Sequence, residues 1–427
     1  MLRHRGPSAC REPSTGQLRG RICLRVRDRS DSIALVSTAT AAELPAEPKG
    51  RAIASVGGAA ATLVQVATVD AQTIARIVQR WASAPRPARP WRDPLPATVT
   101  IDSLPSLLDG GEPVVDAGVI GVIDRPDRQR IEPWTWSARQ HGLLLAVGAA
   151  GCGRSGLAAA IAATGPSIHV PQDAAIAWDR LERLAGSDGD HGGVALIIDD
   201  LDLVVDRFEP EHRQVWLDRL VGLCRRRREL GIGIVVTAAS VDGPMRLLEP
   251  HASTRVLMRL PSRQDHRLAG GDGDTWDARM PPGGAVVDGR RAQVLDVPGM
   301  GGTADVEPEA RARRLGTGRV VVIAADPAAA ADRLAVAGRP VLAVAEALAS
   351  TGALPPDAAI VGDAAAWQSR WDALDALGAG ADVLVTGLPI ATMRAVTGRR
   401  ELPPPLPPGD EWCWMLGPGR IVRARLP

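Results

Sequence analysis

Residues Gly148 to Ser155 have the composition and spacing of a phosphate-binding loop. They fit the pattern G-x-x-x-x-G-K-S/T except that Arg154 takes the place of the lysine. In such loops the backbone N–H groups surround the β-phosphate, the lysine reaches the β- and γ-phosphates, and the serine hydroxyl binds Mg²⁺. Arginine keeps the charge but is bulkier and planar, so Arg154 is expected to hold phosphate while misplacing the γ-phosphoryl group. The predicted cofactors are therefore ATP and Mg²⁺, and the predicted nucleotide contacts are Gly148, Ala149, Ala150, Gly151, Cys152, Gly153, Arg154, Ser155 and Gly156.

Two acids, Asp199 and Asp200, follow the apolar run from Val194 to Ile198. An apolar strand that ends in acids, downstream of a phosphate loop, is the Walker B pattern. Asp199 is predicted to hold Mg²⁺ through water, together with Ser155. Asp200 stands where motor ATPases have the glutamate that polarises the attacking water, and it is one methylene shorter, so we expect it to fall short of its target. The alternative, acids that only cap a buried strand, is disfavoured by the two motifs in their correct order.

Three further residues are candidates for reading the γ-phosphate. Thr237 ends the apolar strand that begins at Ile232, which is a common position for a sensor residue, although a strand-end threonine that starts a turn is an equal alternative. Arg255 and Arg259 lie on or beside the next apolar strand. Either could act as an arginine finger on a neighbouring subunit's nucleotide, or could pair with acids at the domain edge. The sequence leaves both questions open.

The elements that must position these residues alternate between strand and helix. This alternation predicts an α/β fold in which helices cover a mainly parallel sheet. The predicted segments are strand 143–148, helix 155–163, strand 167–170, helix 174–185, strand 194–199, helix 210–229, strand 232–238 and strand 255–260. Four arginines, 225–228, end the long helix, where cations suit the helix dipole, and we favour this over a DNA-binding patch.

Composition excludes several classes of protein. The 50 Lys and Arg balance 49 Asp and Glu, so no overall basic field indicates nucleic acid or an anionic membrane. The five cysteines are scattered without metal-ligand spacing, which favours a reducing cytoplasm. No apolar run approaches the roughly 20 residues of a bilayer span. The chain has no tyrosine and one phenylalanine, so its large aromatic side chains are almost all tryptophans, eleven in number. Pairs such as Trp134 and Trp136 are more simply interpreted as core packing residues than as residues that stack on nucleic-acid bases.

A closing element recurs along the chain. The run from Arg25 to Asp31 matches that from Arg259 to Asp265 in spacing, and each is followed by a proline or glycine turn and an apolar hairpin. A third version keeps only residues 402–409 and the strand pair 411–416 and 420–426. Three copies suggest tandem domains of one type. Upstream of the third copy, Asp363 ends a short strand before a predicted helix, 364–377, whose Trp367 and Trp371 are most simply core residues, and no glycine loop is present.

With these motifs in hand, the chain resembles the FtsK/SpoIIIE family of RecA-like P-loop ATPases, and in particular the multi-ATPase type VII secretion proteins. The resemblance spans about residues 19–427 and implies a RecA-like domain followed by a reduced second copy of the fold. The implied division is 1–18 disordered, 19–80 the tail of a truncated ATPase domain, 81–96 a proline-rich linker, 97–297 a P-loop domain, 298–317 a linker, and 318–427 a degenerate domain without a phosphate loop.

The resemblance also implies a function. Family members form rings, commonly hexamers, that move DNA or hand secreted proteins to a pore, so other FtsK/SpoIIIE-type subunits and a DNA or protein substrate are expected partners. The resemblance also implies a cytoplasmic location, peripheral to a membrane-bound translocation complex. Because Arg154 and Asp200 both depart from the family pattern, we expect ATP binding with weak or no hydrolysis. The alternative is a nucleotide-free scaffold that binds secretion substrates or partner ATPase subunits.

Overall fold

A computed structural model describes residues 20–56, 60–84, 93–108, 118–297, 312–369 and 372–427. The predicted disorder of residues 1–18, and much of both predicted linkers, lie outside the described residues. By contacts between residues, the chain divides into a unit that ends at Arg89 and a unit that begins at Pro90. The P-loop region and the C-terminal region therefore belong to one compact unit, and the division into finer domains stays a prediction.

The first unit is a small antiparallel sheet with the strand order β1-β2-β3, called here the N-terminal sheet. Its core is a cluster formed by Cys23, Val36, Ala41, Leu44 and Ile53. The elements are β1 (Gly20–Leu24), α1 (Arg29–Val36), β2 (Arg51–Val56), β3 (Thr62–Gln65) and α2 (Ala71–Arg80).

The second unit begins with a nine-stranded central sheet, of order β5-β4-β12-β11-β10-β6-β9-β8-β7. Strands β10, β6, β9, β8 and β7 are parallel, and the remaining pairs are antiparallel. The elements are α3 (Leu104–Leu107), β4 (Val119–Arg125), β5 (Arg130–Thr135), α4 (Ala138–His141), β6 (Leu143–Val147), α5 (Arg154–Ala162), β7 (Ser167–Val170), α6 (Ala174–Ala185), β8 (Val194–Ile198), α7 (Leu201–Val205), α8 (Pro210–Arg226), β9 (Ile232–Ala238), α9 (Pro244–Leu248), β10 (Thr254–Met258), α10 (Arg263–Leu268), β11 (Gly284–Val287) and β12 (Arg290–Val294).

The predicted α/β class is confirmed by this sheet. Every residue of β6 and β9 is buried, as expected of central parallel strands that are covered on both faces. The long helix α8 ends at Arg226, three residues before its predicted end. Arg226 donates hydrogen bonds to the carbonyls of Ala185 and Ser187 at 3.0 and 3.2 Å, which supports the interpretation of the arginines as a helix end. Trp134 and Trp136 are both buried, so they pack.

The unit continues with a six-stranded C-terminal sheet, of order β14-β15-β13-β16-β17-β18, in which the first four strands are parallel. The elements are β13 (Val320–Ala324), α11 (Pro327–Val336), β14 (Val341–Ala343), α12 (Val344–Ala349), β15 (Ala359–Gly362), α13 (Ala364–Gln368), α14 (Ala373–Gly378), β16 (Asp382–Thr386), α15 (Ile390–Thr397), β17 (Trp412–Gly417) and β18 (Arg420–Arg425).

The prediction of one helix over 364–377 is wrong, because α13 and α14 are separate helices. Asp363 accepts a hydrogen bond from the backbone N–H of Ala366 at 2.7 Å, so this strand-end acid caps α13. Trp367 is buried and donates to the carbonyl of Val322, which confirms it as a core residue, whereas Trp371 lies outside the described residues. In the described part of the chain, no helix is long and apolar enough to span a bilayer.

A buried arginine joins the C-terminal sheet to the central sheet. Arg423 on β18 is 3% exposed and donates to the Asp179 carboxylate on α6 at 2.6 Å. The same guanidinium donates to the carbonyls of Pro405 at 2.6 Å and Ala175 at 3.3 Å. All three contacts are charge-assisted hydrogen bonds, so we expect this joint to be strong.

Two further contacts join α8, beside the central sheet, to the C-terminal region. The buried His212 side chain bonds through Nε2 to the carbonyl of Pro403 at 2.8 Å. Burial lowers the pKa of His212, so the ring is neutral at physiological pH and Nε2 carries the proton that it donates. Arg394 on α15 makes a bidentate pair with Glu211 at 3.0 and 2.8 Å. The C-terminal sheet is thus fixed to α6 and α8.

Candidate nucleotide-binding site

The predicted phosphate loop connects β6 to α5. Gly151 and Gly153 have φ values of +70° and +103°, a region of backbone conformation that favours glycine. Helix α5 begins at Arg154, and the backbone N–H of Leu157 donates to the carbonyl of Gly153, which closes the first helical turn. The N–H groups of the first turn, without partners inside the helix, are therefore placed at the loop, as an anion site requires.

The loop is attached to its neighbours by backbone hydrogen bonds. Gly148 donates to the carbonyl of Ala238 at the end of β9, at 3.2 Å, and Ala149 donates to that of Arg259 after β10, at 2.8 Å. On the other side, Gly283 donates to the carbonyl of Cys152 at 2.8 Å. The loop is thus fixed by two parallel strands and by the hairpin that closes the domain.

Two glycines of the loop are expected to respond differently to alanine. A Cβ atom on Gly153 would lie 2.4 Å from the nitrogen of Gly283, whereas a Cβ on Gly151 would meet nothing within 4 Å. Gly151→Ala should therefore cost only the strain of a positive φ, about 1–2 kcal/mol of unfolding free energy. Gly153→Ala should cost more, about 3 kcal/mol, and should weaken nucleotide binding. Urea unfolding of both variants is the measurement, and equal losses would contradict the predicted contact.

The Walker B acid, the loop serine and the β9 threonine meet in one network. The Ser155 hydroxyl donates to Asp199 Oδ2 at 2.6 Å, and the Thr237 hydroxyl donates to Asp199 Oδ1 at 2.6 Å. The backbone N–H of Asp200 in turn donates to Thr237 Oγ1 at 2.9 Å. Three residues predicted from separate motifs are therefore brought together at the carboxyl ends of neighbouring parallel strands. The single donor of Thr237 is used on Asp199, which orients that carboxylate towards Ser155.

Arg154 is bonded within the loop. Its Nη1 donates to the carbonyl of Gly148 at 2.6 Å, and its Nη2 lies 2.6 Å from Asp200 Oδ1. The side chain of Arg154 is only 12% exposed and that of Asp200 only 24%. The guanidinium thus connects Gly148, the first residue of the loop, to Asp200, the second acid after β8.

Asp200 has an unusual backbone conformation and a raised side-chain pKa. Its φ is +56°, a left-handed conformation that aspartate tolerates better than most residues. Burial raises the pKa of the Asp200 carboxyl, and the charges of Asp199 and Asp202 add to this, whereas Arg154 acts in the opposite direction. Because Arg154 occupies one carboxylate oxygen, a water molecule at Asp200 would have to compete with a guanidinium.

The two arginines near β10 lie in different surroundings. Arg255 Nη1 is 3.7 Å from Glu249 Oε1, and both side chains are partly exposed, so this arginine pairs with an acid of its own domain edge. Arg259 Nη2 lies 3.5 Å from the carbonyl of Gly151, and its Nη1 lies 3.4 Å from that of Met280. Arg259, and not Arg255, therefore touches the phosphate loop of its own chain. An arginine-finger role for either stays a prediction.

Sequence reasoning missed two residues of the site. Gly283 contacts the loop, and Asp202 Oδ2 accepts a hydrogen bond from the backbone N–H of Ala239, after β9, at 2.9 Å. The signal for Gly283 was present, because the hairpin of the first copy also follows a glycine, Gly50. Asp202 carries no such signal, since an acid in the first turn of a short helix is commonplace.

The residues present fit a nucleotide with Mg²⁺. The loop and the start of α5 offer N–H groups to phosphate, and Ser155 and Asp199 offer the oxygen ligands that Mg²⁺ prefers. Among the described residues no group of three or more His, Cys, Asp or Glu could hold a metal by itself. A cation here would thus depend on phosphate oxygens and water, as is usual for Mg²⁺ in such sites.

The loop, the acidic strand end and the parallel sheet together define a P-loop fold of the α/β class. The solved structures similar to this chain include cytoplasmic ATPase domains of type VII secretion proteins. The cytoplasmic domain of the Thermomonospora curvata type VII secretion ATPase EccC is 16% identical, covers 90% of this chain and matches with a TM-score of 0.46. EssC (ATPases 2 and 3) from Geobacillus thermodenitrificans is 11% identical, with 79% of this chain and 99% of that chain covered and a TM-score of 0.40.

A second EccC structure, ATPases 2 and 3 in complex with a signal sequence peptide, is 16% identical, with 64% of this chain and 58% of that chain covered and a TM-score of 0.44. The chain spans 61% of the length of the EccC cytoplasmic domain. No protein-family model matches the chain, and no curated protein matches it. What this chain does must therefore be inferred from its own residues.

Proposed function

We propose that this chain binds ATP with Mg²⁺ at Gly148–Ser155, hydrolyses it weakly or not at all, and serves as one subunit of a ring-forming translocation motor of the FtsK/SpoIIIE type. The observation that carries the nucleotide part is the network of Ser155, Asp199 and Thr237 beside a loop with two left-handed glycines. Acids that only cap a strand end do not need a serine from the phosphate loop, whereas Mg²⁺ coordination does.

The contacts of Arg154 support weak hydrolysis. A lysine in this position extends towards the β- and γ-phosphates, but Arg154 donates to Gly148 and Asp200 instead. A phosphate group can compete for the guanidinium, because phosphate is a preferred bidentate partner of arginine. The chain would then still bind ATP through this contact between Arg154 and phosphate. It would hydrolyse ATP poorly, because hydrolysis needs the cation at the phosphate and the general base at the attacking water, and here Arg154 and Asp200 contact each other.

The motor role and the cargo are the less direct part of the proposal. The similar structures include an ATPase complex with a signal sequence peptide and a conjugation coupling protein, so both secreted protein and DNA are cargoes to test. The near-neutral charge, 50 Lys and Arg against 49 Asp and Glu, favours protein over DNA. Other ATPase subunits of a homo- or hetero-hexamer are the proposed partners, and the proposed location is cytoplasmic, peripheral to a membrane-bound translocation complex.

Titration with a fluorescent ATP analogue and Mg²⁺ tests nucleotide binding. We expect saturable binding to one site, which Asp199→Asn should weaken about 10-fold because a carboxylate is lost from the Mg²⁺ site. Asp363→Asn is a matched control, since Asp363 also follows a parallel strand but caps a helix, and asparagine preserves the cap. Without saturable binding by the unmodified chain, the proposal is wrong.

A nucleotide-free scaffold is the second candidate, and one observation favours it. The bonds of Arg154 to Gly148 and Asp200 join the two sides of the phosphate site, so the loop has a stable arrangement of its own. In that case the domains would act as docking surfaces for secretion substrates or partner ATPase subunits. The same titration separates the candidates, because a scaffold predicts no saturable binding even at high Mg²⁺.

A further inference from the structure

A cavity of about 380 Å³ lies at the amino ends of the central parallel strands. It is bordered by Gly142 before β6, Gly231 before β9 and Ser253 before β10. The phosphate loop follows the other end of β6, and the five residues of this strand span about 16 Å. The cavity is therefore separate from the candidate nucleotide site and lies at the opposite edge of the sheet.

Arginines give this cavity a positive charge. Arg139, Arg227 and Arg228 line it, and no acid is among its described lining residues. Arg139 pairs with Asp190 at 3.2 Å, but in the described part of the chain no acid forms an ion pair with Arg227 or Arg228. The carboxyl end of α8 offsets only about half an elementary charge. An excess of positive charge therefore remains at the cavity.

Arg227 is held in place, yet part of its hydrogen-bonding capacity is unused. Its Nη1 donates to the carbonyl of Cys224 at 3.2 Å, and its Nη2 donates to Ser253 Oγ at 3.4 Å. Its Nε is buried without a hydrogen-bond partner among the described residues. A guanidinium has five N–H donors, so these contacts leave donors for an anion. Ser253 accepts one of the bonds and can still donate its own hydroxyl hydrogen.

Gly142 leaves the space in which Arg227 and Ser253 meet. Its φ is +68°, in the region that favours glycine. A Cβ atom on Gly142 would lie 2.6 Å from Ser253 Oγ, and 2.7 and 2.8 Å from Nε and Nη2 of Arg227. The guanidinium and the hydroxyl thus converge on one point of the backbone, at a place where any side chain would displace them.

We propose that this cavity binds a small phosphate-bearing molecule, with Arg227 and Arg228 as its cationic contacts and Ser253 as a hydroxyl donor. A phosphate group carries about −1.5 to −2 charges at neutral pH, which matches two unpaired arginines better than the single charge of a carboxylate does. The volume of the cavity is in the range of small-molecule sites. A nucleic acid would instead need a row of cations along its backbone. The proposal does not depend on whether Gly148–Ser155 binds nucleotide.

Calorimetric titration of the intact chain with inorganic phosphate and with glycerol phosphate tests the proposal, and the two ligands separate a free anion from a phosphate ester. We expect saturable binding of at least one of them. Arg228→Gln should weaken this binding about 10-fold, because a charge-assisted contact with phosphate is lost. Arg228 is exposed, so its substitution should leave the fold intact. If neither ligand binds saturably, the proposal is wrong.

Arg225→Gln is the matched control. Arg225 is also exposed and lies in the last turn of α8, but it does not line the cavity. Its substitution removes the same charge from the same end of the helix and should leave the affinity for phosphate unchanged. Equal losses in the Arg225 and Arg228 variants would indicate a general attraction to the helix end and would overturn the proposed site.

Arg154→Gln separates this cavity from the phosphate loop. Because Arg154 lies at the opposite edge of the sheet, its substitution should leave the affinity of the cavity for phosphate unchanged. Affinity that is lost in Arg154→Gln but kept in Arg228→Gln would assign the phosphate to the loop and overturn the proposal. Duplex DNA that binds through Arg228 while neither small ligand binds would also overturn it. Phosphate binding that depends on Arg228, in a chain that does not bind ATP, would support this site and contradict only the proposed function.

Discussion

Arg154→Lys and Asp200→Glu together are expected to raise the rate of ATP hydrolysis by about 100-fold, the lower end of what a positioned general base contributes. Lysine cannot make both contacts that Arg154 makes with Gly148 and Asp200, so the guanidinium link between the loop and Asp200 is lost. The extra methylene of glutamate brings its carboxylate closer to the attacking water. Ser155, Asp199 and Thr237, which would hold Mg²⁺ and its ligands, stay unchanged.

Release of inorganic phosphate with saturating ATP and Mg²⁺ is the measurement. Each single variant should gain little, because Arg154→Lys leaves a short base and Asp200→Glu leaves a carboxylate that the arginine still engages. Adding Asp199→Asn to the double variant should remove the gain, which excludes a contaminating ATPase. A double variant that binds ATP normally yet hydrolyses it no faster would show that the chain lacks more of the catalytic machinery than these two residues.

Arg423→Ala is expected to lower the free energy of unfolding by about 3–5 kcal/mol. The substitution leaves the Asp179 carboxylate partly buried without its cation, and it removes the donor from the carbonyls of Pro405 and Ala175. Arg423→Lys should recover only part of the loss, since an ammonium group cannot reproduce the planar arrangement of donors.

Arg425→Ala is the matched control for this change. Arg425 lies on the same strand, and its side chain is 47% exposed with Glu411 at 3.4 Å, so its removal should cost at most about 1 kcal/mol. Urea unfolding of the three variants gives the comparison. If Arg423→Ala loses no more than Arg425→Ala, the contact with α6 does not stabilise the joint between the central and C-terminal sheets.

The sequence predicted the central sheet well because its parallel strands are continuous apolar runs. The apolar runs predict β9 at its observed bounds, and β6 and β8 to within one residue, since each run is flanked by glycine or acids. The meeting of Ser155, Asp199 and Thr237 follows from the same pattern, because the carboxyl ends of parallel strands share one edge. The helix over 364–377 failed because its alanine-rich composition gives no sign of where a helix breaks.

Other features of the site were beyond sequence reasoning for a physical reason. The direction of the Arg154 side chain depends on the hydrogen-bond acceptors around it. Asp200 is one of these acceptors only because the fold brings the end of β8 beside the phosphate loop. Arg423 reads as an ordinary polar position in the alternating strand β18. Its burial depends on α6, whose Asp179 is distant in sequence, and no local pattern marks that contact.

The joint formed by Arg423, His212 and Arg394 has a mechanical consequence. Its contacts attach the C-terminal sheet to α6 and α8, two helices that pack on the central sheet. Because these hydrogen bonds link the two, we expect a displacement of either helix to displace the C-terminal sheet as well. If the proposed nucleotide binding displaces α6 or α8, the C-terminal sheet should therefore follow, although its sequence has no phosphate loop.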